Sequence, residues 1–124
     1  TRRIEEQILI LKKQNKDLQR VADGIAKMFG LEPIPIKLKD VWAGKAHCEK
    51  GYIVFPLWVM EQKKPEYVLY YLVHEISHII EYNRFGKTNH NEYFKKLEQA
   101  ILKKFGYGIK YRKAYAEEIY KITN

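Results

Sequence analysis

The chain predicts an α+β fold in which a long helix comes first, a small sheet containing a hairpin follows, and two more helices close the order. Three observations carry this. Apolar residues recur at steps of three and four up to Gly30, strand-forming residues alternate with lysines between Pro33 and Pro56, and helical periodicity returns after Pro65.

Ile4, Ile8, Leu11, Leu18, Val21, Ile25 and Met28 form one apolar face, so a single amphipathic helix is expected to run to Gly30. Pro33 and Pro35 forbid its continuation. Ile36 and Leu38 then alternate with Lys37 and Lys39, as in a half-buried strand. A second strand is expected from Lys45 to Glu49 and a third from Tyr52 to Phe55, with Lys50-Gly51 as the turn of a hairpin between them. Pro56 has no N–H to give a ladder, which places the third strand at an edge of the sheet.

Pro65 opens a helix expected to reach Tyr82 and to be apolar on nearly all sides, through Val68, Leu69, Leu72, Val73, Ile76, Ile79 and Ile80. A helix of that kind belongs at the centre of a fold. Asn83 to Lys87 form a connection containing Gly86. Asn89 followed by Glu92 then predicts a capping box for the next helix, whose inward stripe is Phe94, Leu97, Ile101 and Phe105 and which Gly106 and Gly108 terminate. Residues 113–121 are expected to form a short closing helix. No repeat, low-complexity tract or linker divides the chain, so one domain over residues 1–124 is expected.

A chain of 124 residues can bury a core without disulfides. Cys48 is the sole cysteine, so neither an internal disulfide nor a cysteine-rich zinc ribbon can form, and a reducing, cytoplasmic setting is expected. Apolar runs fall short of the ~20 residues of a membrane span. No membrane partner is expected. The net charge of +8 invites a nucleic-acid partner, because lysine and arginine release counterions from phosphates. Yet the lysines are scattered in pairs, as on the wet sides of helices, and solvated faces explain most of them. The segment from Lys103 to Lys113 is denser and interleaves Phe105, Tyr107, Tyr111 and Arg112, which makes it the best local candidate for a phosphate or acidic-polymer contact.

The chemistry concentrates in His74-Glu75-Ile76-Ser77-His78, an H-E-x-x-H pattern inside the apolar helix. Four residues advance a helix by ~400° and ~6 Å, so both imidazoles share one face, one turn apart, and can bind one tetrahedral ion. Glu75 lies about a quarter-turn away, where its carboxylate can serve as base toward a water acidified by the ion. Two histidines and an acid in the most apolar helix carry a desolvation cost unless each has a partner, and a cation would serve all three.

A catalytic site needs a third ligand. His90 is the first candidate: at 100° per residue it falls within ~40° of Phe94, Leu97 and Ile101, in the first turn of the inward stripe. Glu98 is the rival, ~80° from the His90 direction and at the border of that stripe. Glu81 is too close along the motif helix, and His47, beside Cys48 in the hairpin, reads as a surface or substrate-strand residue.

The stretch YVLYYLVHEISHII, followed after a short loop by NHNEYFKKL, resembles the SprT-like, WLM and YgjP-like group of small zincin metallopeptidases, and GKAHCEKGYIVFPLWVM resembles the strand pair that leads to their active helix. The resemblance covers roughly residues 34 to 105. It implies a minimal zincin-like domain with one catalytic Zn2+, held by His74, His78 and His90, and Glu75 as the catalytic base. SprT-type proteins often carry a cysteine-based zinc ribbon as well, which one cysteine cannot build.

The expected activity is hydrolysis of peptide bonds by a metal-activated water, on a protein or peptide substrate that lies near nucleic acid if the basic surface binds it. Tyr82, Tyr93, Tyr107, Tyr111 and Arg112 are available as second donors to an oxyanion, and an extended substrate could add to the Tyr52–Phe55 strand. Two alternatives stand beside it. One is a zinc-stabilised nucleic-acid- or protein-binding module without turnover, for which Glu75 has no use; the other is a metallohydrolase of a non-peptide bond.

Overall fold

The computed structural model describes residues 2–61 and 64–106, with the side chains of the first helix from residue 15 onward. Among the described residues the architecture is α+β: four helices and one three-stranded sheet. The long amphipathic segment is helix α1 (Arg2–Met28). Its inner face is built of Leu18, Ala22, Ile25 and Ala26, and the two alanines let the helix approach the sheet closely. Met28, expected on that face, is 44% exposed because the helix has already left the core. Gly30 ends it at φ 67°, where the N–H of Leu31 returns to the Ala26 carbonyl at 2.9 Å.

The strands are β1 (Ile36–Lys39), β2 (Lys45–His47) and β3 (Tyr52–Pro56), in the spatial order β1-β3-β2. The β2–β3 hairpin forms as expected, with Gly51 at φ 75° and its N–H donating to the His47 carbonyl at 2.7 Å. The placement of β3 at an edge is wrong. It is the central strand, parallel to β1 and antiparallel to β2. Pro56 is tolerated because β2 stops opposite Val54, so no ladder bond on that side needs a donor at residue 56. The proline also marks the junction with a five-residue helix, α2 (Leu57–Glu61), which buries Trp58 and Val59 and which the periodicity did not announce.

The two edges of the sheet differ. Along β1, the side chain of Gln19 behaves like a neighbouring strand: its Nε2 donates to the Ile34 carbonyl at 2.8 Å and its Oε1 accepts from the Ile36 N–H at 2.8 Å. Along β2, no strand pairs with the outer edge among the described residues. Any extended peptide that adds to the sheet must therefore add to β2, not to Tyr52–Phe55.

Helix α3 (Pro65–Phe85) carries the motif and runs three residues beyond the expected end, to a left-handed Gly86 at φ 74°. Twelve of its residues are buried, from Tyr67 to Glu81, so it is the central helix that its composition predicts. Helix α4 (Glu92–Lys104) packs beside it through Phe94, Leu97, Ile101 and Leu102. The cap is one Asn later than expected. Asn91 accepts from the Phe94 N–H at 3.0 Å, while Asn89 folds the lead-in by accepting from the Asn91 N–H at 3.1 Å. Phe105, expected in the inward stripe, is 39% exposed at the helix end. The expected closing helix at residues 113–121 and most of the basic segment from Lys103 to Lys113 lie outside the described residues.

Helix α3 is tied to the β2 edge by Tyr71, whose fully buried ring packs edge-on against Phe55 and Trp58. Its hydroxyl accepts from the Gly44 N–H at 2.8 Å, and a Cβ at Gly44 would meet Tyr71 Cε1 and the Val54 carbonyl oxygen, each at 2.8 Å. Gly44→Ala is accordingly expected to lower stability by about 1–3 kcal/mol, measured by denaturant unfolding, since both neighbours belong to the packed core.

Candidate metal centre

Helical spacing puts His74 and His78 on one face of α3, and the asparagine-rich lead-in to α4 brings His90 across to them. A ligand nitrogen from each of the three histidines lies within 4.8 Å of the other two. His74 is buried, His78 half-buried and His90 exposed, so the cluster opens from the core to solvent. His90 does not sit in the first turn of α4 as the helical extrapolation has it. It precedes the Asn91 cap, and its ring packs against Phe94 with centroids 5.0 Å apart.

The hydrogen bonds decide which ring nitrogens are available. His74 Nδ1 lies 2.8 Å from Glu98 Oε2, and a carboxylate only accepts, so Nδ1–H is the donor and Nε2 keeps its lone pair. The case of His78 needs one more step. Thr88 Oγ1 donates to Glu81 Oε1 at 2.9 Å, having one proton to give, and must therefore accept at 2.7 Å from His78 Nδ1–H. Both motif histidines thus hold Nε2 ready as an acceptor. His90 Nε2 lies 3.1 Å from His78 Nε2. At that distance two lone pairs repel unless a proton or a cation lies between them, and two nitrogens on one tetrahedral zinc stand ~3.4 Å apart. The donor set and its tautomers fit a metal ion.

Glu98, the rival third ligand, is placed differently: its carboxylate holds the back of the His74 ring rather than joining the cluster. Glu81 is likewise not a ligand. Buried at 2% exposure, it accepts from both Thr88 Oγ1 and the Asn89 N–H, at 2.9 and 2.7 Å, through one oxygen. That oxygen sets the orientation of His78 through Thr88 and anchors the residue before His90. Sequence reasoning missed this role for Glu81 and Thr88. The signal for it in the sequence is an acid one turn past His78 on the same apolar helix.

Glu75 is 2% exposed and lies between the two motif histidines in sequence. Burial, and then the charge of Glu75, push the Cys48 thiol above its ordinary value against an opposing backbone hydrogen bond. Of the expected oxyanion donors, Tyr93 accepts a 3.4 Å hydrogen bond from Arg84 and packs on Phe85, while Tyr107, Tyr111 and Arg112 lie outside the described residues.

Over 79 residues, 64% of this chain, the sequence is 27% identical to Protein SprT of Actinobacillus succinogenes. The chain spans about half the length of that relative, the aligned part covering 46% of it. No protein-family model matches the chain, and no solved structure matches it. The similarity is distant and supports a SprT-like character at most. No described helix is long and apolar enough to cross a membrane.

Thr88→Val and Glu98→Ala are each expected to weaken zinc binding by about 10–100-fold, read by competition with a chromophoric chelator, because each frees a ligand ring from its support. His90→Ala should cost more than either. Were Glu98 the ligand, its replacement would instead abolish stoichiometric binding and that of His90 would leave it intact.

Proposed function

We propose that the protein is a SprT-like, zinc-dependent metallopeptidase in which His74, His78 and His90 are the metal ligands and Glu75 is the general base. The observation that carries this is the shared orientation of the imidazoles: Nδ1 of each motif histidine is occupied by a hydrogen bond, and the Nε2 atoms of His78 and His90 converge to 3.1 Å. Three neutral imidazoles suit zinc and leave one position of a tetrahedral ion open, which distinguishes a catalytic site from a closed structural one. Bound there, zinc would supply Lewis acidity, lowering the pKa of a water toward ~7 and polarising a carbonyl.

The chain's own residues supply the rest. Glu75 accepts a proton from the attacking water and returns it to the leaving amine. Its burial keeps that proton from exchanging freely with solvent. Glu98 and the Thr88–Glu81 pair hold the ligand rings, so little reorganisation is needed as charge develops. An extended peptide binds along the open edge of β2, a strand that packs against the motif helix, and main-chain pairing there makes binding tolerant of sequence. The distant similarity to Protein SprT supports the same reading.

Glu75→Gln keeps the shape of the base but cannot accept the proton. We expect it to retain stoichiometric zinc by elemental analysis and to lose hydrolysis of unfolded casein by 10²-fold or more. Unchanged hydrolysis in this variant would refute the role of Glu75, and wild type purified without chelator yet free of metal would refute the site.

A further inference from the structure

A cleft of about 380 Å³ runs between the β2–β3 hairpin and the α3–α4 connection, beside the histidine cluster. Lys45, His47 and Lys50 line it from the hairpin, and Tyr82, Lys87 and Thr88 from the helices. One residue joins it to the candidate centre: Thr88, on its wall, accepts from His78 Nδ1–H at 2.7 Å. Lys45, Ala46 and His47, which make up β2, also line it, so a chain lying along that strand meets the cleft.

Its charge is one-sided. Three lysines face a single acid, Glu49, and among the described residues none of the three ammonium groups is in an ion pair. His47 records the same field. It stacks on Tyr52 with ring centroids 4.4 Å apart, and partial burial, then Lys45, Lys50, Lys39 and Lys37, hold its pKa below the ordinary value. Lining one cleft with three cations and a single acid costs electrostatic energy that an anionic ligand recovers.

We propose that this cleft is a specificity subsite that takes a carboxylate side chain, Asp or Glu, of a peptide substrate paired along β2. The proposal rests on the metallopeptidase reading and deepens it by naming the substrate class. An extended chain beside β2 sends alternate side chains to opposite faces. One set meets the Lys45 and His47 face of the strand; the other meets Ala46 and Cys48, which pack toward the core. A nucleic-acid backbone would satisfy the lysines but could not add to the outer edge of β2, which no strand covers among the described residues, and that difference favours a peptide.

The test has two arms. In the first, zinc-loaded protein cleaves a pool of peptides from digested, unfolded proteins, and mass spectrometry reads the residues around each cut. We expect Asp and Glu enriched at one fixed position, with kcat/KM for an acidic peptide about five- to tenfold above its neutral analogue. In Lys45→Ser/Lys50→Ser/Lys87→Ser that ratio should fall to about one, and in the corresponding triple change to Glu it should reverse toward Lys and Arg, with zinc content and thermal unfolding as in wild type. No enriched position, or an enrichment that survives both variants, overturns the subsite.

If nothing is cleaved, the metallopeptidase reading fails and the second arm still decides the cleft. Glu75→Gln protein is titrated against fluorescent ten-residue acidic, neutral and basic peptides and against single- and double-stranded oligonucleotides. Preference for the acidic peptide, lost in the triple Ser variant, supports the subsite. An oligonucleotide bound more tightly than the acidic peptide, and lost in the same variant, overturns the peptide assignment in favour of phosphate.

Discussion

Polar groups buried in an apolar helix cost free energy unless protein or ligand satisfies them, and this constraint organises the molecule around α3. His74, Glu75, Ser77 and Glu81 are all below 10% exposed in a helix whose other buried residues are Tyr67, Tyr70, Tyr71, Leu72, Val73, Ile76, Ile79 and Ile80. Each unsatisfied group would cost about 1–3 kcal/mol, and a charged one more. Neighbouring elements supply partners for His74 and for one oxygen of Glu81: helix α4 with Glu98, and the α3–α4 connection with Thr88 and the Asn89 N–H, while Ser77 Oγ and Glu81 Oε2 have none among the described residues.

These partners explain the position of α4 better than its apolar stripe alone. Phe94, Leu97 and Ile101 would allow the helix to slide by a turn, since hydrophobic contact is not directional. The Glu98–His74 bond and the paired acceptance by Glu81 remove that freedom. The connection is held so closely that its next residue, His90, arrives beside His78 while still exposed. Burial of the motif helix, docking of α4 and assembly of the three imidazoles are therefore one packing problem with one solution.

Much of this was legible in the residues. The 3.6-residue period revealed α1, α3 and α4, the alternation of lysine with isoleucine and leucine revealed β1, and the i, i+4 spacing of His74 and His78 already placed both rings on one face. What failed were features set by partners distant in sequence. Pro56 argued for an edge, but strand order depends on where β2 stops, and nothing local states that it ends opposite Val54. Asn89 and Asn91 are equally good caps by residue type; the buried carboxylate of Glu81, by taking the Asn89 N–H, leaves Asn91 to begin the helix. Helix α2 is too short to show a period. Glu98 and His90 could not be ranked by angle alone, because the choice turned on which side of the His74 ring each one reached.

The gradient of burial across the three imidazoles bears on what the centre can do. A site that only stabilised the fold would gain most from being closed, with a fourth protein donor and every ligand under the surface. Here the two motif histidines are immobilised through their Nδ1 atoms, whereas His90 comes from a loop at the surface and faces solvent. The exposed side of the cluster is the side from which an ion and then a substrate can enter. Tyr71 and Gly44 hold the open β2 edge against the same helix, so that edge and the buried Glu75 carboxylate belong to one packed unit.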